Sequence, residues 1–432
     1  MIAIGRALCE HRHEVTIVTG EAYRDQLHRA GLGFLPLDFP PDELADSLAA
    51  FSKPLPRFPQ IIWDRPQKAF FARLAPLTAQ LVAIFQTLVP DVVLTDYNFY
   101  AGSIAAEVCG IPYGTFCAIV NALPSRDTPT FGAEMGWVPP RHPLRLVWHL
   151  ARWISRWYLG WDDRVINQVR RGYGLPPVDF PIWYPSPYLF IVPTTDAYEY
   201  PRRDLIPQAV YVGPVTTPHR GDAQNNFPWE WLADDRPTIY VSLGTIVKLT
   251  QVFRYVIDLA DGANWKAVLA VGQGTDLNQF GKIPENVLLR NYVPQYELLP
   301  KVDAVISHGG NNTVTEALMN GKPLVVIPIT GDQPESAGRV VKARAGVRLN
   351  IRRLTPEKLG KAIQQVLYDP TFRAGAERIQ VSYTRCQGAE TIVALLERLA
   401  KERTPLHRPA GMSPTLYQLD EIDKLVNEQA PV

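Results

Sequence analysis

Apolar residues fall along this chain in two alternating rhythms, short unbroken runs and stretches that repeat every three or four positions. The first is the pattern of a strand buried on both faces, the second that of a helix with one buried side. Residues 2–11 carry Ile4, Ala7 and Leu8 at helical spacing, and residues 14–20 (EVTIVTG) read as a strand. A proline-rich stretch over 27–66 precedes a helix over about 68–88 and a strand over 91–95. A helix over 101–109 then stops at Gly110-Ile111-Pro112, and a strand follows over 113–117. Residues 144–161 return to helical spacing and carry Trp148, Trp153, Trp157, Tyr158 and Trp161; residues 188–193 are another strand.

The alternation restarts after a polar stretch rich in Gly, Pro and Asn, which predicts a linker over 216–228. Beyond it, strands are predicted over 238–242, 266–271, 287–290, 303–307 and 324–328, with another near Val347. Helices are predicted over 251–260, 311–319, 338–345, 356–367 and 371–401. Strands separated by helices imply parallel sheets of the doubly wound α/β class. The 432 residues exceed one ordinary core, so two domains are expected, over 1–215 and 229–385. A terminal helix over 386–402 and a mobile polar tail over 403–432 complete this division.

Composition narrows the function. A formal net charge of +1 argues against nucleic acid as a partner. No stretch has the roughly 18 consecutive apolar residues of a membrane span, and no secretory leader stands at the start. The four cysteines have neither metal-ligand spacing nor the density of a disulfide scaffold, so the cytoplasm is the expected compartment.

The most informative stretch is 291–335, NYVPQYELLPKVDAVISHGGNNTVTEALMNGKPLVVIPITGDQPE. A buried strand runs into His308-Gly309-Gly310, a helix follows, and Asn320-Gly321 stops it before the next strand. Such a turn brings backbone N–H groups and the positive end of a helix to one point, which favours a phosphate. Upstream stands an aromatic ring at Tyr292, and downstream a carboxylate and an amide at Asp332-Gln333. Base, diphosphate and hydroxyls together describe a nucleotide-sugar. Thr313 and Glu316 also fit a capping box, a structural role that competes for the Glu316 carboxylate and that Thr313 can combine with ligand binding.

Residue by residue, Tyr292-Val293-Pro294-Gln295, then His308 through Glu316, then Asp332-Gln333 resemble the donor signature of the UDP-dependent glycosyltransferases, which include bacterial macrolide and plant secondary-product enzymes. Ser242-Leu243-Gly244-Thr245 looks like the family's second glycine turn. The resemblance implies two Rossmann-like domains facing across a cleft, the GT-B architecture. It also implies inverting transfer of a sugar, glucose fitting well, from UDP or dTDP to a hydroxyl of a hydrophobic small molecule. Tyr292, or Trp265 as an alternative, would stack the base, with Val293 and Gln295 at its edge. His308, Gly310, Asn312, Thr313 and Thr245 would hold the diphosphate, Glu316 the ribose, and Asp332 and Gln333 the sugar. No Asp-x-Asp metal anchor is present, and neither metal nor cofactor is expected, UDP-sugar being a co-substrate.

The family's first strand, with its Gly-His-x-x-Pro turn and base histidine, has no counterpart before Met1. Slow turnover is therefore expected of the chain as written, a nucleotide-sugar-binding auxiliary protein without catalysis being the alternative. A sugar-nucleotide epimerase is a further, weaker alternative. By the same resemblance Asp96 would orient that histidine; read from the sequence alone, it could instead cap the next helix. Trp148 and Trp153 lie where the family holds its acceptor. Arg145, Arg152 and Arg156 among those rings also suit peripheral contact with a membrane, and plain core packing would equally explain the aromatics.

Overall fold

The computed structural model describes residues 1–38, 71–131, 136–179, 184–216, 227–244 and 250–427, without the side chains of residues 155, 158, 159, 161 and 162. Two units emerge, residues 1–215 with 385–432, and residues 216–384. Most of the predicted linker lies outside the described residues.

The first unit opens with α1 (Ile2–Glu10), β1 (Thr16–Thr19), α2 (Arg24–Arg29) and β2 (Gly33–Pro36). α3 (Leu74–Leu88), β3 (Val93–Asp96), α4 (Tyr100–Val108) and β4 (Tyr113–Phe116) follow, then α5 (Leu144–Gly172), β5 (Leu189–Val192) and β6 (Ala209–Tyr211). Among the described residues β1 and β2 pair only with each other, while β3, β4, β5 and β6 form a parallel sheet in that order. The all-apolar β5 is buried along its length, as a central parallel strand requires. α5 runs well beyond residue 161, since the Asp162–Gly172 extension holds no proline to break it.

The second unit carries β7 (Thr238–Ser242), α6 (Thr250–Ala260), β8 (Lys266–Ala270), β9 (Val287–Arg290), the short α7 (Gln295–Leu298), β10 (Ala304–Ser307), α8 (Asn311–Met319), β11 (Leu324–Val326), α9 (Gln333–Lys342), β12 (Gly346–Arg348), α10 (Pro356–Tyr368) and α11 (Pro370–Thr384). Its strands form one parallel sheet in the order β12-β11-β10-β7-β8-β9. The chain thus starts in the middle at β7, winds outward to β9, and returns to β10 to wind the other way. Neighbouring β7 and β10 mark the switch point, outside whose carboxyl ends ligands of open α/β sheets bind. Trp265, an alternative base-stacking residue in the sequence, is 3% exposed in the core against β7 and β8 and offers no face to a ligand.

Two expectations need correction here. The helix predicted over 371–401 is two helices, α11 and α12 (Ala389–Glu402), because Gly388 at φ +50° breaks the register between them. α12 packs on α1, where Ile4 joins Ile392, Leu395 and Leu399, and His11 and His13 each lie 2.8 Å from a glutamate of α12.

The residues after α12 are no loose tail through Asn427. Leu406, Leu416, Ile422 and Leu425 are buried in the first unit's core, and β13 (Leu406–His407) pairs with β14 (Val426–Asn427). β6 is a sheet edge with open backbone groups, and this segment covers it. Tyr211 N–H donates to the Pro414 carbonyl at 2.7 Å, and Leu416 N–H to the Tyr211 carbonyl at 2.8 Å.

Candidate functional site

At the switch point the turn after β10 holds His308 between two glycines. A Cβ on Gly310 would sit 2.6 Å from Nε2 of the ring, and one on Gly244, whose φ is +78°, would sit 2.9 Å from Cε1. Side chains at either position would expel the imidazole, which explains glycine at both. Burial lowers the His308 pKa, backbone hydrogen bonding at Ser242 acting the other way, so the ring is neutral at pH 7. Its Nδ1 is buried with no hydrogen-bond partner among the described residues.

α8 begins immediately after, with Gly310 at its N-cap position and no side chain capping it. Thr313 is therefore inside the first turn rather than at the cap, and the Thr313–Glu316 capping box does not form. The Glu316 carboxylate instead accepts from Gln295 Nε2 at 2.7 Å. Gln295 Oε1 in turn accepts from the Tyr240 hydroxyl at 3.0 Å. The amide expected at the edge of a base is thus engaged with the carboxylate on α8. Asn312 is exposed and Thr313 half-buried at the open end of the helix. Tyr292 is 45% exposed, with a ring free to stack, while Val293 beside it is buried. Thr245 lies outside the described residues.

Asp332 and Gln333 stand at the start of α9, five residues earlier than the predicted helix. Pro334 explains this, since a proline in the first turn has no N–H to lose and its φ suits the helix. The Gln333 Oε1 accepts from the N–H groups of Ile329 (2.8 Å) and Thr330 (3.1 Å). That fixes the loop and leaves its amide N–H₂ as the donor. Burial raises the Asp332 pKa, a hydrogen bond from its own backbone N–H working against this.

In the first unit, Asp96 ends β3. Its Oδ1 accepts from the Asn98 N–H at 2.9 Å, while Phe99 is the N-cap of α4, so the carboxylate makes a local turn and does not cap that helix. Burial raises its pKa, with the Asn98 hydrogen bond and the Met1 amino group drawing it down.

The two tryptophans proposed for the acceptor divide. Trp148 is 1% exposed, its ring 5.2 Å from the Arg145 guanidinium, and offers no face to solvent. The helical angle explains this, because it lies opposite the exposed Leu150. Trp153 is 69% exposed on a face shared with Leu146, Leu150 and Trp157. The arginines around these rings are engaged: Arg145 pairs with Asp127 at 3.2 Å, Arg152 donates to the Ser125 carbonyl, and Arg156 pairs with Asp179 at 2.6 Å. Among the described residues no helix is long and apolar enough to cross a membrane. The Tyr200–Asp204 segment fastens the loop before α5. Arg203 pairs with Asp127 at 2.7 Å and Asp204 accepts from the Ser125 hydroxyl at 2.6 Å.

A doubly wound parallel sheet with a glycine-flanked histidine, a carboxylate on the following helix and an open aromatic ring at its switch point places these groups where open α/β sheets bind their ligands. The family model described as UDP-glucoronosyl and UDP-glucosyl transferase matches residues 177–382. The chain is 30% identical over 316 residues to the UDP-glucosyltransferase YojK of Bacillus subtilis, itself uncharacterized, covering 73% of this chain and 74% of that protein. It is 28% identical over 420 residues to 4'-demethylrebeccamycin synthase of Lentzea aerocolonigenes, covering 92% and 96%. Among solved structures, the glycosyltransferase of kitacinnamycin superposes with a TM-score of 0.70 at 21% identity, covering 92% of this chain and 94% of that one. The chain belongs to the UDP-glucuronosyl and UDP-glucosyl transferase family.

Proposed function

We propose that this glycosyltransferase moves a sugar, glucose in our reading, from UDP to a hydroxyl of a hydrophobic small molecule, with inversion and without a metal. The observation that carries the donor side is the uncapped end of α8 beside a histidine wedged between Gly244 and Gly310. Backbone N–H groups there meet the diphosphate and stabilise it as it departs, and neutral His308 adds a hydrogen bond. These groups occupy the electrostatic role a metal would otherwise take. Tyr292 stacks the base, Glu316 accepts from the ribose, and Asp332 with the Gln333 amide holds the sugar hydroxyls.

The acceptor's hydroxyl must lose a proton as the anomeric carbon gains oxocarbenium character. In the family resembled, that proton goes to a histidine base, and we assign Asp96, half-buried at the carboxyl end of β3, to orienting such a histidine rather than to taking the proton itself. The name of the Lentzea relative supports a natural-product acceptor, and the exposed rings of Trp153 and Trp157 offer a flat apolar one a surface.

The test pairs UDP calorimetry with product analysis of UDP-glucose incubated with a panel of hydrophobic acceptors. His308→Ala should weaken UDP binding on the order of ten- to a hundredfold, the range for a hydrogen bond to a charged group. Unchanged affinity in that variant would sink the donor site.

A further inference from the structure

The site contains a hydrogen-bonded chain that reaches it from the sheet. The Tyr240 hydroxyl donates to Gln295 Oε1 at 3.0 Å, and Gln295 Nε2 donates to Glu316 Oε2 at 2.7 Å. Tyr240 lies in the middle of β7. Tyr240 is 2% exposed. Burial raises its pKa well above the ordinary tyrosine value, the Glu316 carboxylate adding to this, so the hydroxyl keeps its proton and remains a donor.

The direction of the chain matters. A glutamine amide can be turned either way, and its two ends look alike to packing. The reversed amide would set its oxygen against the Glu316 carboxylate, two acceptors facing each other. With the Tyr240 proton directed at Oε1, only the orientation that turns N–H₂ toward Glu316 satisfies both ends. Glu316 is then a held acceptor, with one oxygen anchored and the carboxylate's rotation stopped. It stands in the second turn of α8, just past the turn where the diphosphate is assigned.

We propose that Tyr240 is a positioning residue which, through Gln295, holds Glu316 to accept from the two adjacent hydroxyls of a ribose, making this chain discriminate ribonucleotide from 2'-deoxyribonucleotide donors. This rests on the nucleotide-sugar reading of the site. A cis-diol presents two donors to one carboxylate, and a 2'-deoxyribose presents one. A carboxylate free to rotate would follow either sugar and lose most of the distinction.

The experiment measures binding of UDP and of 2'-deoxy-UDP to the full chain by calorimetry, in the wild type, Tyr240→Phe and Gln295→Leu. The wild type should prefer UDP on the order of ten- to a hundredfold, as expected for one charge-assisted hydrogen bond. Tyr240→Phe removes one oxygen atom and should shrink that preference to within about threefold, mainly by weakening UDP. Gln295→Leu cuts the chain from its other side and should do the same, and it decides the matter if Tyr240→Phe fails to fold. If both nucleotides weaken equally and the ratio stands, Tyr240 merely packs the sheet and the proposal is wrong. A wild-type ratio near one overturns it too. Failure of the wild type to bind UDP at all strikes instead at the donor site itself.

Discussion

The two units carry their functional groups in opposite ways. In the second, the side chains assigned to the donor are bonded to one another before any ligand arrives: Tyr240 to Gln295, Gln295 to Glu316, and Gln333 to the backbone at Ile329 and Thr330. They line a single six-stranded parallel sheet at its switch point. In the first unit, β1 and β2 pair apart from β3 to β6, and among the described residues no hydrogen bond joins Asp96, Trp148 and Trp153. There the polar bonds serve the scaffold, as in the clasp of Asp127 by Arg145 and Arg203. A nucleotide diphosphate has fixed chemistry, so its site can be held in advance by hydrogen bonds of defined length. An apolar acceptor asks only for surface.

The contrast can be broken first where the effect should be largest, in the scaffold of the first unit. Leu416 is fully buried beside the covered edge of β6. Leu416→Ala should destabilise the fold by about 2–5 kcal/mol, the range for truncating a buried leucine. Chemical denaturation checks this, and a midpoint equal to that of wild type would mean the segment after α12 is only loosely attached. The next effect falls in the second unit. In Gly310→Ala the new methyl would lie 2.6 Å from the His308 ring and would push the imidazole out of its place. UDP affinity should fall on the order of a hundredfold, as when a preorganised oxyanion donor is lost, with little change in thermal stability. Retained affinity would show that the ring's position does not matter to the donor.

What could be read in the residues follows the same division. The strands of the second unit, the glycine turn and α8 were legible because each is a local pattern: an apolar run, a glycine pair, a helix end. Roles that depend on distant partners were not. Gln295 meets Tyr240 across 55 residues and Glu316 across 21, so nothing near it in sequence says that its amide faces a carboxylate. Tyr240 itself reads as strand filler inside TIYVS. The start of α9 was available in principle, since Pro334 marks a first helical turn, but the Asp332-Gln333 pair drew the reading toward a loop. Leu406, Leu416, Ile422 and Leu425 are too widely spaced to show a period, and they bury themselves on a sheet edge that sequence does not display. Trp148 and Trp153 lie about 140° apart around the helix, and only the packing of α5 says which one is inside.

The smallest effect probes how the held donor site trades stability for binding, and Asp332 is the place to measure it. Burial raises its folded pKa above the unfolded value near 3.9, so the folded chain binds that proton more tightly than the unfolded one. Its contribution to stability is therefore fully present below the unfolded pKa and is lost as pH rises through the folded pKa. At pH 7 the ionised carboxylate is a burden on the fold, and Asp332→Asn, which keeps the shape without the charge, should melt at a higher temperature than the wild type. The advantage should shrink as the pH is lowered toward 4, where the wild-type carboxyl takes up its proton. Binding should move the other way. An amide oxygen accepts a hydroxyl less strongly than a carboxylate, so UDP-glucose should bind the variant up to about tenfold more weakly, while UDP, which lacks the sugar, should bind it as well as before. Equal losses for both ligands would move Asp332 from the sugar to the diphosphate, and a melting temperature that fell at pH 7 would mean the carboxylate supports the loop it begins rather than waiting for a ligand.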